Sequence, residues 1–349
     1  MWRAFLRNFT KQIGIDLGTS NTLLFVKGRG IVVNESSVVA VNRRNGRVLA
    51  VGEEARSMMG KTPPHILVTR PLQRGIIADF EVTEKMLRYF FDKVHDDRSL
   101  VLPRPQVIIS VPLDVTEVER KAVGDAAMSA GAHEVLVVEE PIAAAIGAGM
   151  DISSPLGNMV VNIGGGTTEV AVISLNGVVT AKSIAIAGEE LNKNIAQYAR
   201  DVFNLLLGEG IAEQIKMAIG SAVEMEEPME TSMRGRDILS GLPREIIVND
   251  AQVREALARS VKAIVEQVKG ILEVTPPELV ADIYQKGIVL TGGGALLRGM
   301  DAAISRGTGL PVRVADDPLT AVARGVGALI DNRRLLEDVA FPATERIPS

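Results

Sequence analysis

The chain has 349 residues, 46% of them hydrophobic, enough to bury two cores rather than one. A net charge of -5 and a pI near 5.5 speak against nucleic-acid binding, and the absence of cysteine excludes disulfides and zinc-thiolate sites, as fits a reducing compartment. His65, His95 and His133 lack metal-ligand spacing and read as surface or packing residues before catalytic ones, and no apolar run approaches the roughly 18–20 residues that span a bilayer.

The N-terminal stretch Met1–Lys11 (MWRAFLRNFTK) places Trp2, Phe5, Leu6 and Phe9 on one helical face, with Arg3, Arg7 and Lys11 giving the other side positive charge. This pattern predicts a helix lying in an anionic membrane surface; the alternative is docking onto the protein's own core. Arg3 and Arg7 interrupt the short apolar stretch and no small-residue cleavage site follows, so a signal peptide is not expected. Next, Ile13–Thr22 (IGIDLGTSNT) runs an apolar strand into a polar glycine turn. A strand at Thr22–Val26, a turn at Lys27–Gly30 and a strand at Ile31–Val33 follow.

Residues 34–79 fit neither core pattern and read as an inserted subdomain. Leu100, Val101 and Leu102 form an apolar loop beside Asp96-Asp97-Arg98, a second candidate for membrane contact or simply core. Val107–Val111 is a continuous apolar run ended by Pro112, as for a strand buried on both faces. A helix should start at Thr116, which forms a capping-box pattern with Glu119, and end at Gly131. Val135–Val138 is another buried strand, and Pro141 opens a small-residue helix over Ile142–Ala148.

The second half repeats the first. Val160–Val170 (VVNIGGGTTEV) is again a strand, a glycine turn and a strand, with Asn162 lying 146 positions after Asp16. Glu169–Leu175 and Val178–Ser183 read as a hairpin turning at Asn176-Gly177. Residues 187–249 read as a second insert, with Val223–Gly241 as a mobile loop. Asp250–Glu273 carries a helical apolar rhythm, Pro276 and Pro277 interrupt it, and a short helix over Glu278–Tyr284 leads to a strand at Gly287–Leu290. A third glycine loop, Thr291–Ala295, follows. A meander followed by βα units, twice over, predicts two mixed α/β domains at 12–157 and 158–335, with a tail at 336–349.

Phosphate binding needs backbone N–H groups facing an anion with no side chain in the way. Gly164, Gly165 and Gly166 supply that, and the hydroxyls of Thr19, Ser20, Thr167 and Thr168 add donors. Paired loops in related halves suggest a cleft gripping one polyphosphate from both sides; the bland alternative is tight linkage of strands. Gly60-Lys61-Thr62 fails the P-loop spacing because position 55 is Ala, and no GxGxxG follows a first strand.

DLGTSNT, Glu139-Glu140-Pro141 leading into AAAIGAG, GGGTTEVAV and TGGGALLRGM together resemble the actin/heat-shock-chaperone/sugar-kinase ATPase superfamily. Within it the chain closely resembles the MreB family of bacterial actins, which determine rod shape. IADFEVTEKMLRYF, TPPELVADI, GLP and DDPLTAVARG add to the likeness, which spans roughly residues 10–335. The resemblance implies two actin-like (ribonuclease H-like) domains, each a mixed sheet with flanking helices, hinged around ATP/ADP and Mg²⁺. It also implies homopolymer filaments, a cytoplasmic location on the inner face of the cell membrane, and partners among membrane proteins of the cell-wall elongation machinery.

Carried over residue by residue, the resemblance implies that Gly18, Thr19, Ser20 and Asn21 line the first phosphate loop, with Asp16 holding Mg²⁺ through water. Gly164, Gly165, Gly166 and Thr167 would form the second loop, and Glu213 and Lys216 would flank the nucleoside. Gly292, Gly293, Gly294, Ala295 and Leu296 would close over base and sugar, and Glu140 would orient the attacking water. Read without the resemblance, Glu139 and Glu140 are acidic residues favoured at a helix N-terminus. The chain departs from the pattern at Asn162, where the family usually has an Asp that organises the metal's waters, so ATP should bind while hydrolysis is slow. Asn192-Lys193 and Ala218 also stand where acidic residues are common, which bears on sugar contacts. A sugar kinase of the same superfamily is the alternative function, though no sugar-binding face is recognisable in the inserts; a chaperone-type ATPase would need a large β-rich domain after the last helix.

Overall fold

A computed structural model describes residues 11–94 and 104–343. Trp2, Phe5, Leu6, Phe9, Leu100, Val101 and Leu102 lie outside the described residues. The chain divides into two compact units: one takes the described residues up to Leu156 together with Ile173–Val178 and those from Leu319 onward, the other Gly157–Val172 and Val179–Pro318.

The first unit opens with the meander β1 (Gln12–Leu17), β2 (Asn21–Val26) and β3 (Gly30–Ser36). Its insert forms a small sheet from β4 (Val39–Asn42), β5 (Arg47–Val51) and β6 (Ile66–Thr69), with α1 (Glu53–Ser57) and the ribbon β7 (Leu72–Gln73)–β8 (Ile76–Ile77). Then come α2 (Phe80–Val94), β9 (Gln106–Val111), α3 (Glu117–Ala130), β10 (Glu134–Glu139) and α4 (Glu140–Gly147). The expected capping box is present: Thr116 Oγ1 accepts from Glu119 N–H while the Glu119 carboxylate accepts from Thr116 N–H, and Gly131 ends α3 at φ 127°.

The second unit runs β11 (Asn158–Ile163), β12 (Thr168–Ser174), β13 (Gly177–Ile184), α5 (Gly188–Phe203), β14 (Leu205–Leu206) and α6 (Glu209–Ile219). It continues through β15 (Glu230–Asp237), β16 (Pro243–Asn249), α7 (Asp250–Val274), α8 (Pro277–Lys286) and β17 (Ile288–Thr291). A 3₁₀ turn at Gly293–Leu296, α9 (Met300–Thr308) and β18 (Val312–Val314) complete it. The last described elements are α10 (Ala321–Asp331), α11 (Arg333–Val339) and β19 (Phe341–Pro342).

Each unit is built on one mixed sheet, in the orders β19-β10-β9-β1-β2-β3 and β13-β12-β11-β17-β18. β1, β9 and β10 are parallel, with Asp16 opposite Ser110 and Ser110 opposite Val138, so their C-terminal ends share one edge. In the second sheet β11 runs parallel to β17 with Asn162 opposite Thr291. Ligands of such sheets bind outside the carboxyl ends of parallel strands, and both glycine loops begin there.

Three expectations are corrected. The hairpin turns one residue earlier than expected, at Leu175-Asn176, both with positive φ (51° and 62°). β12 is buried at all seven positions, and the register of that buried strand outranks the Asn-Gly preference. Val223–Gly241 contains β15, paired with both β14 and β16 and anchored by buried Met233 and Val248, rather than being a loop throughout. Residues from Leu319 onward, assigned from the sequence to the second domain and a tail, belong with the first unit.

Small residues make that return possible. A Cβ added to Gly147 would strike Ala321 O, and one added to Gly325 would strike Ala143 O, so α4 and α10 touch backbone to backbone. Gly14 leaves room for Val326, and Gly327 for the Phe25 ring. Gly325→Ala should therefore cost about 1–3 kcal/mol or more of folding stability. The control Gly210→Ala, in α6 with nothing near its added Cβ, should raise stability by about 0.5–1 kcal/mol. Paired thermal melts of the two variants check both signs.

Candidate functional site

The two glycine loops are built by the same hydrogen bond. Gly18 N–H donates to Asn21 O at 3.1 Å, and Gly164 N–H donates to Thr167 O at 2.9 Å, each closing a four-residue turn between antiparallel strands. A side chain at Gly18 would place its Cβ 2.7 Å from Asn21 O, so the turn demands glycine.

Neighbouring groups then tie the loop carbonyls back into the fold. In the first unit Ser37 Oγ donates to Gly18 O at 2.6 Å, Ser37 N–H donates to Ser20 O at 2.9 Å, and Ser37 Oγ shares a hydrogen bond with Thr22 Oγ1. Thr19 is buried, and its hydroxyl accepts from Gly75 N–H at 2.7 Å, pinning the loop to the β7–β8 turn. In the second unit the first two amides of α5 serve the same end: Gly188 N–H donates to Gly164 O and Glu189 N–H to Gly165 O. Among the described residues the amides of Thr19, Ser20, Gly165 and Gly166 have no internal acceptor. Carbonyls turned inward and unspent N–H groups leave each loop a ready anion cradle.

Asp16 and Glu140 come together in the first unit, Asp16 as the penultimate residue of β1 and Glu140 as the first residue of α4. Burial pushes the Asp16 carboxyl well above its ordinary range, the negative charge of Glu140 pushes it further, and a hydrogen bond from Ser110 opposes both. Burial also raises Glu139, the N-cap of α4.

The corresponding position in the second unit is different. Asn162 is buried, and its Oδ1 accepts from Thr291 Oγ1 at 3.0 Å. Gly292, at φ 78°, passes so close to β11 that an added Cβ would press on Ile163 O and Asn162 Oδ1, and Gly294 would strike Ile163. Glu213 and Lys216, one turn apart on α6, are half-buried; Lys216 Nζ donates to Gly188 O at 3.0 Å, beside the second loop. Ala222 N–H bonds Arg298 O, which ties the segment after α6 to the chain after the 3₁₀ turn; there Ala295 is buried and Leu296 exposed.

The first unit therefore gathers Asp16, Gly18, Thr19, Ser20, Asn21 and Glu140. The second gathers Asn162, Gly164–Thr167, Glu213, Lys216 and Gly292–Leu296. Sequence reasoning missed Ser37, Gly75, Ser110 and Gly188, which position these groups, and named Thr291 only as the start of the third glycine loop. Of these, Ser110 left a visible signal as the only polar residue inside the apolar run VIISV.

The sequence profile of the MreB/Mbl proteins matches residues 10–338. The chain belongs to the MreB/Mbl family. The cell shape-determining protein Mbl of Bacillus subtilis is 50% identical over 324 residues, 93% of this chain and 97% of its own. The cell shape-determining protein MreB of Escherichia coli is 50% identical over 335 residues, 95% and 96% of the two chains. The crystal structure of MreB5 of Spiroplasma citri bound to ADP superposes with a TM-score of 0.89 at 36% identity, covering 94% of this chain and 98% of that one. The fold is thus actin-like, as the MreB-family resemblance implies.

The Asp16 carboxylate yields a pH signature. Its pKa is raised in the folded chain, so the stability it contributes is present at low pH and is lost as pH rises through the folded pKa. Without nucleotide, Asp16→Asn should therefore melt higher than the parent at pH 8, with the gap closing toward pH 4. Melting temperatures across that range measure it.

Proposed function

We propose that this protein is an ATP-dependent, filament-forming member of the cell-shape cytoskeleton, working at the inner face of the cell membrane. The observation that carries this reading is the pair of matched turns whose amides at Thr19, Ser20, Gly165 and Gly166 have no internal acceptor. A polyphosphate satisfies such donors. Its relatives' names support the role in cell shape, and the Spiroplasma citri protein has been solved with both ADP and AMPPNP.

The chemistry assigns parts to the residues. Glu213 and Lys216 flank the nucleoside, and Gly292–Leu296 close on base and sugar. Asp16 fits Mg²⁺: its carboxyl is pushed toward protonation by burial and by Glu140, strain that a cation relieves. Among the described residues no cluster of three or more His, Cys, Asp or Glu forms a metal cage. This suits an ion that keeps its waters and relies on one carboxylate plus substrate phosphates. When bound, Mg²⁺ neutralises charge developing on the phosphate oxygens. Glu140 orients and polarises water from the N-terminus of α4.

Asn162 keeps the shape of the second loop but brings no charge to it, so the nucleotide is held while its hydrolysis is slow. Losing one preorganised catalytic group costs roughly 10²–10³ in rate. Asn162→Asp should accelerate phosphate release by about that factor with little change in ATP affinity; equal rates would refute the role of position 162. Filament formation is tested by ATP-dependent sedimentation and electron microscopy of the full chain, set beside a coupled sugar-kinase assay.

Membrane attachment follows from the amphipathic stretch at Met1–Lys11. Among the described residues no helix is long and apolar enough to cross a membrane. Burying Trp2, Phe5, Leu6 and Phe9 yields about 6–12 kcal/mol, against about 1–2 kcal/mol for ordering each of some ten residues. One copy is marginal, and a filament presenting many copies binds through avidity. A Trp2→Ala/Phe5→Ala double variant should lose co-sedimentation with anionic liposomes while still assembling in solution; undiminished liposome binding would contradict the attachment.

A further inference from the structure

The turn joining β4 to β5 reads Asn42-Arg43-Arg44-Asn45-Gly46-Arg47, and residues 43–47 are all exposed. This turn is braced. Asn42 Oδ1 accepts from Arg44 N–H at 2.9 Å, Asn45 Oδ1 accepts from Arg47 N–H at 3.1 Å, and Gly46 N–H, at φ 66°, donates to Asn42 O. Arg43 N–H donates to His65 O on one side, and Lys85 of α2 donates to Gly46 O on the other. Three guanidinium groups are thus carried on a stiff support, so little ordering entropy opposes their use by a partner. On α2, Lys85 and Arg88 are matched by Glu81 and Glu84. Among the described residues no carboxylate pairs with Arg43, Arg44 or Arg47.

Leu49 is a second, independent observation. β5 is an edge strand of its small sheet, and its register with β4 slips between Val48 and Ala50, so Leu49 has no partner there. A bulge re-aims a side chain. Here it leaves Leu49 41% exposed, two positions from Arg47. A large apolar group beside unpaired arginines suits a lipid surface, where the apolar chain enters the headgroup layer and guanidiniums meet phosphates. A single-stranded nucleic acid would instead call for stacking aromatics, and the turn has none. The position of the turn agrees. Val94 O, at the end of α2, accepts from Lys11 Nζ at 3.2 Å and from Arg29 Nη1, and Lys11 is the last residue of the amphipathic stretch. From Lys85 to Val94 the helix rises about 13 Å, and buried Met86, Leu87 and Phe90 fix it in the first unit. One rigid helix therefore spaces the arginine turn from the root of that stretch. The chain carries a net charge of -5, so attraction to an anionic surface has to be local.

We propose that Arg43, Arg44, Arg47 and Leu49 form a second membrane-contact element that binds anionic lipid headgroups. The proposal rests on the membrane-attachment reading and adds what one helix cannot supply. A single anchor lets the protein pivot, whereas a second contact on the same rigid unit fixes which face meets the lipid.

The full chain with Arg43→Gln/Arg44→Gln/Arg47→Gln is compared with the parent on vesicles of phosphatidylglycerol and phosphatidylcholine in equal parts. A control triple, Lys193→Gln/Arg200→Gln/Arg259→Gln, removes the same charge from exposed positions of the second unit. Each arginine at such a surface contributes about fivefold in binding, so the turn variant should lose about tenfold or more. The control should bind like the parent, and the turn variant's loss should appear with and without Mg-ATP and vanish on pure phosphatidylcholine. Trp2 is the only tryptophan, so Leu49→Trp in a Trp2→Phe background reports on the turn alone. Its emission should shift to the blue on the anionic vesicles. The contact is overturned if the turn variant binds like the parent, if both triples lose equally, if the loss needs Mg-ATP, or if that emission stays put. Should Trp2→Ala/Phe5→Ala bind undiminished while the turn variant does not, the helix reading fails and the arginine contact stands. A parent that ignores the anionic vesicles overturns both.

Discussion

Two carboxylates, Asp16 and Glu140, meet at the carboxyl ends of parallel strands in surroundings that disfavour the charge on Asp16. Burial and mutual repulsion both push Asp16 toward protonation, and Ser110 on the adjacent strand supplies the one opposing hydrogen bond. Such an arrangement is unfavourable for an empty protein and favourable for one that receives a cation. The remainder of the first unit keeps the pair in place. β1 and β9 carry the apolar residues beneath it, α4 begins at Glu140 itself, and α10 lies against α4 with no side chain between their backbones at Gly147 and Gly325. On the proposed function, stability is given up at one point so that charge can be used there, a pattern common to functional sites.

The second unit repeats the backbone device and alters its chemistry. Its turn closes with the same Gly-to-third-residue hydrogen bond, and its carbonyls are again drawn inward, this time by the amides of α5 rather than by a serine. The buried side chain at the strand end is an amide paired with Thr291 in place of a carboxylate. A carboxylate there would also accept from Thr291, so the backbone frame does not require Asn. The difference between the halves is one of charge on nearly constant geometry. On the proposed function, this difference lets nucleotide binding persist while hydrolysis slows.

Much of this was legible from the residues because its causes are local. The buried strands around Val107–Val111 and Val135–Val138 show as apolar runs broken only by Ser110, the cap joins Thr116 to Glu119 three positions on, and the glycine turns announce a backbone that tolerates no side chain. What escaped depends on distant parts of the chain. The turn at Leu175-Asn176 follows the register of a strand buried on both faces. β15 is a strand because β14 and β16 flank it. Ser37 and Gly75 reach the first loop from 19 and 56 positions away, respectively. The return of α10 to the first unit rests on glycines whose meaning appears only when Ala143 and Ala321 are seen against them.

The most direct measurement is a crystal structure of the full chain with Mg²⁺ and AMPPNP. The expected density places phosphate oxygens on the amides of Thr19, Ser20, Gly165 and Gly166, with the ion's water shell against Asp16. Nucleotide bound elsewhere, or phosphates touching neither glycine turn, would contradict the proposed site and the mechanism built on it.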